Sequence, residues 1–191
     1  MSLKKKSVLR DWVESIVVAF LLAMVIRAFV VQAFKIPTGS MRMTLIEGDL
    51  ILVNKFIYGS KVPFTNWRLP ALREPKRGDV VVFIYPEDKK KDFIKRLVGL
   101  PGETIEIKGG SIYVNDKPAM EQIFNQIYYY NRGEFASDGQ KIVVPKDSYF
   151  VLGDNSTSSK DSRYWGFVPK DDLLGKAMVI YWPAQRIRVI K

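Results

Sequence analysis

The chain has 191 residues, 47% of them hydrophobic, and contains neither cysteine nor histidine. That composition excludes disulfides, thiol nucleophiles, cysteine- or histidine-ligated metals and every histidine-based catalytic triad. Chemistry must come from Ser, Thr, Lys, Tyr, Asp and Glu, on a chain of formal charge +10 with room for one domain plus a small appendage.

Residues 1–11 carry Lys4, Lys5, Lys6 and Arg10 against Asp11 and read as a basic cytoplasmic N-terminus. Next comes "WVESIVVAFLLAMVIRAFVVQAF", residues 12–34, the most apolar part of the chain. As a helix rising ~1.5 Å per residue it could span a hydrocarbon core of ~30 Å. The positive charge before it favours an N-terminus inside and a C-terminal domain outside, and Arg27 can snorkel to an interface. Two other readings stay open here. Val31-Gln32-Ala33 imitates the small-x-small site of a cleavable signal peptide, and the run could also be the buried helix of a soluble domain.

Residues 35–191 read as one extracytoplasmic, mainly β domain. "GDLILVNKFIYG" (48–59), "GDVVVFIYP" (78–86) and "DFIKRLVG" (92–99) are rich in β-branched and aromatic residues and bounded by Gly or Pro. Between the first two, residues 60–77, with Pro63, Pro70 and Pro75, read as an irregular loop. "TIEIKGGSIYVND" (104–116) reads as a hairpin with a Gly-Gly turn. Residues 117–141, including "IYYYNRGEF", read as an insertion over the main sheet, its tyrosines covering a small core. "KIVVP", "SYFVLGD", "AMVIYW" and "RIRVI" complete the strands, and "KDDLLGK" makes a helical turn. The expected architecture is coiled antiparallel sheets or an irregular barrel behind one transmembrane helix.

Ser40, in "KIPTGSMRMTL" (35–45), is the candidate nucleophile, and a serine hydroxyl needs a base. Without histidine the base must be a lysine, neutral only if its pKa falls from ~10.4 to near ~8, a cost of roughly 3 kcal/mol that burial can impose. Lys89, Lys90 and Lys91 sit together and read as a solvated turn. Lys95 is different: in "DFIKRLVG" as a strand it shares a face with Phe93 and Leu97, while Ile94, Arg96 and Val98 share the other. An edge-strand lysine that discourages aggregation would show the same pattern.

Four stretches in order, "IPTGSMRMTL" (36–45), "GDLILVNKF" (48–56), residues 78–103 ending "DFIKRLVGLPGE", and "GDNSTSSKDSRYWGFV" (153–168), resemble the bacterial type I signal peptidases. These are membrane-anchored serine–lysine endopeptidases. The resemblance implies that Ser40 is the nucleophile and Lys95 its general base. It implies an oxyanion hole made by the Ser40 N–H and the Thr38 hydroxyl, with Ser159 orienting the Lys95 amine. Asp161 and Arg163 would support that loop as an ion pair. Phe34, Ile36, Met41, Leu45, Ile51, Val82, Phe93 and Ile94 are the implied walls of the substrate pockets, each also a plausible core residue. Three positions depart from the family pattern. Thr38 replaces the usual serine, Met43 stands where proline precedes Thr44, loosening the backbone there, and Ser156 stands where arginine often follows "GDN".

The resemblance further implies substrates that are secretory preproteins with small residues first and third before the cut. It implies catalysis without metal or cofactor at the outer face of the cytoplasmic membrane, contact with membrane lipid and with the secretion translocon, and no nucleic-acid partner. Two rivals remain: a dedicated serine–lysine protease with a single substrate, and a non-catalytic membrane-tethered β-domain binding an anionic partner.

Overall fold

The computed structural model describes residues 8–59, 62, 65 and 67–191; Lys4, Lys5, Lys6 and Pro63 lie outside the described residues. Helix α1 spans Val8–Phe29, and strand β1, Val31–Lys35, follows almost at once. The helix therefore begins and ends earlier than the apolar run at 12–34 indicates. Arg27 in its last turn faces the carbonyl end of the helix dipole. The β-branched Val30 and Val31 then favour extended backbone, so a strand apolar at Val31, Ala33 and Phe34 follows the apolar helix directly. Twenty-two residues give about 33 Å of helix, long enough to cross a bilayer. None of them is buried against the body, which removes the reading of a core helix. Val31-Gln32-Ala33 belongs to β1, the edge strand paired antiparallel with β2 (Leu50–Asn54), with Ala33 opposite Leu52.

The body is mainly β. Its larger sheet orders eight antiparallel strands as β1-β2-β11-β3-β4-β9-β10, with β12 also on β11. The added strands are β3 (Val80–Ile84), β4 (Asp92–Gly99), β9 (Ser148–Leu152), β10 (Val168–Pro169), β11 (Leu173–Trp182) and β12 (Arg188–Val189). Three register shifts along β11, against β3 and β2, mark bulges; bulges bend a strand and sharpen its twist, so the sheet curls into a half-barrel. The smaller sheet, β7-β6-β5-β8, is built from β5 (Thr104–Lys108), β6 (Ser111–Val114), β7 (Lys117–Pro118) and β8 (Lys141–Val143). Gly109 and Gly110 form its hairpin turn with φ of +57° and +79°, the double positive φ that a two-residue hairpin demands.

The apolar residues gather in three clusters. One, under the half-barrel, joins Ile36, Met41, Leu45, Ile51, Val53, Val80, Val82, Ala177 and Ile180. On the sheet's other face Val81, Phe83, Leu97, Tyr149, Val151 and Leu173 pack together. Between the sheets, Val98, Phe150 and Leu152 meet Ile105, Ile107 and Ile112. The segment 117–141 belongs to this last cluster through Phe124, Ile127, Tyr129 and Ala136. It joins the small sheet through β7 and packs in one cluster with Val98, Phe150 and Leu152 of the main sheet. Strand β4 touches all three clusters, through Ile94, Leu97 and Val98. This central place buries Lys95.

Candidate active site

Ser40 lies in a single 3-10 turn, Gly39–Met41, that follows β1. The turn is pinned from below, because Met41 and Leu45 are fully buried, and their apolar burial is what orients the short segment between them. A helical turn's first N–H groups have no partner within it, and Ser40 contributes one of these. Thr38, the residue before the turn, is extended and exposed.

Lys95 reaches the turn from β4. Its Nζ lies 2.6 Å from Ser40 Oγ and donates to the Ile94 carbonyl at 3.0 Å. It also stands 5.4 Å from the centre of the Phe93 ring. Only 3% of the residue is exposed. Burial lowers the Lys95 pKa to about 8, against the opposing pull of the Asp161 and Asp154 carboxylates. The buried ammonium form loses hydration that these distant carboxylates only partly replace.

A third segment closes the site. Asn155 donates from its backbone N–H to the Ser40 carbonyl at 3.0 Å and from Nδ2 to the Gly39 carbonyl at 2.9 Å. Ser159 Oγ is buried and, among the described residues, has no hydrogen-bond partner; the hydrogen bond to Lys95 that the sequence reading expects is not formed here. Its side chain instead packs over Gly153. A Cβ on Gly153 would overlap both Ser159 Oγ and the Ser40 carbonyl oxygen. Gly153→Ala should therefore push the loop away from the nucleophile. Displacements of ~1 Å cost about 10²-fold in rate, and steady-state cleavage kinetics would show a kcat loss of that order; unchanged kcat would mean the loop is not held this closely.

Asp161 caps helix α2 (Ser162–Trp165), accepting from the Arg163 N–H, and Asp161 and Arg163 form a fully buried ion pair at 2.8 Å. Asp161 Oδ2 accepts the Gly153 N–H. Arg163 reaches on to the Ser156 hydroxyl, the Ser156 carbonyl and the Tyr130 carbonyl, each at 2.9 Å. Ser156, where the family often has arginine, accepts from Arg163 and from the Tyr130 N–H, so this loop is anchored by Arg163 and by the inserted segment. Met43 has φ of +95°. Proline is locked near −65° and cannot adopt that backbone, so the change from proline accompanies a left-handed turn rather than a loosened chain.

Beside Ser40 and Lys95 opens a cleft of about 290 Å³ lined by residues 37–40, by Asp92, Phe93 and Ile94, and by Ser158 and Lys160. Of the expected pocket walls, Phe93 and Ile94 line it. Ile36, Met41, Leu45, Ile51 and Val82 are buried in the core behind it, with Phe34 partly buried against them. A larger cleft of about 450 Å³, lined by Arg77, Asp79, Glu121 and Lys176 among others, contains neither Ser40 nor Lys95. Sequence reasoning missed Asn155, and also Arg96 and Asp154, a second fully buried ion pair next to the site.

A family model described as "Signal peptidase, peptidase S26" matches residues 9–182. The chain belongs to this family. Among curated signal peptidases, "Probable signal peptidase I-2" of Synechocystis sp. is 39% identical over 188 residues, covering 94% of this chain and 77% of the relative. "Signal peptidase I P" of Bacillus subtilis subsp. natto is 36% identical, covering 98% and 97%. "Signal peptidase I" of Pseudomonas fluorescens is 32% identical, covering 97% and 77%. A signal peptidase I crystal structure from Enterococcus faecalis aligns with a TM-score of 0.44 at 31% identity, covering 56% of this chain and 98% of that one. The chain is thus a bacterial type I signal peptidase by family, a serine peptidase and a hydrolase. Its N-terminal apolar helix fits membrane anchoring.

Proposed function

We propose that the chain removes signal peptides from exported preproteins with Ser40 as nucleophile and Lys95 as general base. The observation that carries this is the 2.6 Å approach of a buried lysine amine to a serine hydroxyl at the head of a cleft. Neutral Lys95 takes the Ser40 proton as Oγ attacks the scissile carbonyl. The Ser40 N–H and the Thr38 hydroxyl hold the oxyanion, the type of preorganised contact that contributes most to acyl transfer. The Lys95 ammonium then protonates the leaving amine, and the same lysine activates the water that releases the acyl-enzyme. The buried Asp161–Arg163 pair keeps the loop of Ser156 and Ser159 in place.

The substrate enters as an extended strand between residues 37–40 and 92–95, alternate side chains pointing into the cleft. A cleft of about 290 Å³ beside the nucleophile selects small residues at the first and third positions before the cut. Helix α1 crosses the cytoplasmic membrane with the basic N-terminus inside, and the β domain works at the outer face. Exposed Trp182, Ile187 and Val189 on β11 and beside it offer an apolar surface to lipid.

The test is to incubate the full chain in detergent with a preprotein bearing an Ala-x-Ala site and to map the cut by mass spectrometry, with Ser40→Ala alongside. Cleavage after the final alanine, abolished in Ser40→Ala, is the expected result. Cleavage surviving that substitution would end the serine mechanism, and no cleavage by a folded wild-type chain would favour a single-substrate protease or a binding domain.

A further inference from the structure

The peptide unit joining Gly39 to Ser40 has two polar ends. Its N–H, on Ser40, is the backbone donor assigned above to the oxyanion. Its C=O, on Gly39, accepts from the Arg42 N–H within the turn at 3.1 Å and from one side chain outside it, Asn155 Nδ2, at 2.9 Å. A trans peptide is a rigid plane with these two groups on opposite edges, so whatever holds the carbonyl also aims the N–H. The orientation of the Asn155 amide is set in turn, because Thr157 Oγ1 donates to Asn155 Oδ1 at 2.9 Å; this leaves the NH₂ end facing Gly39. The Thr157 carbonyl is itself held by Arg132 Nη1 at 3.0 Å.

We propose that Asn155 is the positioning residue of the oxyanion hole: its side chain fixes the direction of the Ser40 N–H and polarises it through the shared peptide. A hydrogen bond at a peptide's oxygen strengthens the donor at its nitrogen, as in any hydrogen-bonded chain. Asn155 touches neither the reacting atoms nor Lys95; it acts through one amide plane. The proposal rests on the reading of Ser40 as nucleophile. A loop staple with no catalytic role would make the same two contacts, so the test must separate aim from stability.

Asn155→Ala removes the side-chain donor while keeping the backbone N–H that binds the Ser40 carbonyl. Thr157→Val keeps Asn155 but frees its amide to turn, and serves if the first variant folds poorly. Both are compared with wild type and Ser40→Ala as full-length chains in micelles. Removing an oxyanion donor outright costs about 10²–10³ in kcat, so misaiming one should cost roughly 10- to 100-fold in Asn155→Ala and less in Thr157→Val, with KM nearly unchanged. The acyl-enzyme is formed with the p-nitrophenyl ester of N-acetyl-alanine, isotope-labelled at the carbonyl, above pH 8, and then trapped by a rapid drop to a pH that protonates Lys95 and stops deacylation. Its carbonyl stretch should move to higher frequency in both variants, while the midpoint of the pH–rate profile stays where it is. Wild-type kcat in Asn155→Ala, an unmoved carbonyl stretch, or a shifted midpoint would each overturn the proposal. Turnover surviving in Ser40→Ala would remove the serine reading itself, and the proposal with it.

Discussion

Lys95→Met should give a protein that no longer cleaves peptides yet resists unfolding better than its parent at pH 7. The loss of activity follows from the geometry: no other amine is within hydrogen-bond distance of Ser40 Oγ among the contacts of the described residues, and a positioned general base is worth about 10²–10⁴ in rate. Lys95→Arg should fail equally, because a guanidinium does not give up its proton in the working range. In the wild type the same lysine sets the pH profile. With its pKa lowered to about 8 by burial, kcat/KM should rise tenfold per pH step below that value and level off above it.

The gain in stability follows from the sign of the same shift. Unfolded, the lysine keeps its proton up to its ordinary value of 10.5; folded, only up to about 8. Between the two, the unfolded chain binds more protons, so stability rises with pH across this window. Below pH 8 the folded protein carries the whole penalty of a buried ammonium, about 3 kcal/mol, and above 10.5 it carries none. Methionine fills nearly the same space without the charge. Urea unfolding should show Lys95→Met ahead by up to roughly that amount at pH 7, the lead shrinking between pH 8 and 10.5. Equal stabilities at pH 7 would mean the amine is hydrated in the folded state, and the argument for a neutral lysine near pH 8 would go with it.

The parts of the site that the sequence showed are those with local patterns. Lys95 stood between large apolar neighbours at strand spacing, and in the structure the strand is central and the amine is buried. Period-two alternation put Arg96 on the opposite face but could not say whether that face was covered as well. It is: the buried guanidinium there meets Asp154, Thr44 and the main-chain oxygens of Gly78 and Lys191. The edge strand β1 was hidden for another reason: Val31, Ala33 and Phe34 extend the apolar run past the helix with Gln32 among them, and hydropathy does not mark the change of backbone at Val30. Helix α2, four residues long, is barely one turn, too short for a helical period to repeat. Asn155 acts on backbone groups far away in the chain, where no side-chain type announces the partner. The expected pocket walls at Ile36, Met41, Leu45, Ile51 and Val82 have the composition of pocket and core alike; only packing assigns them to the core.

The other large effect belongs to Arg96 and Asp154. Both side chains are fully buried and paired, and all five guanidinium hydrogens are used. Nε and Nη2 meet the carboxylate at 2.8 and 2.6 Å, Nη2 also meets Thr44 Oγ1 at 3.0 Å, and Nη1 donates to the main-chain oxygens of Gly78 and Lys191 at 2.7 and 3.0 Å. Thr44 Oγ1 donates to Asp154 at 2.5 Å. Asp154→Ala would strand a buried guanidinium, and Arg96→Ala a buried carboxylate; breaking such a pair costs about 3–5 kcal/mol. Replacing both by apolar residues, Arg96→Met with Asp154→Leu, removes both desolvation penalties, so the double variant should lose much less than the sum of the singles, a coupling of about 1–3 kcal/mol. Activity should not recover with stability. The pair ties β4 beside Lys95, Thr44 after the Ser40 turn and the loop of Gly153 and Asn155 into one unit, and apolar side chains cannot replace those directed bonds. Unfolding midpoints and kcat measured on the four proteins of the cycle decide it. Additive stabilities would show that the two charges do not depend on each other, and full activity in the apolar pair would show that the site is aligned by packing alone.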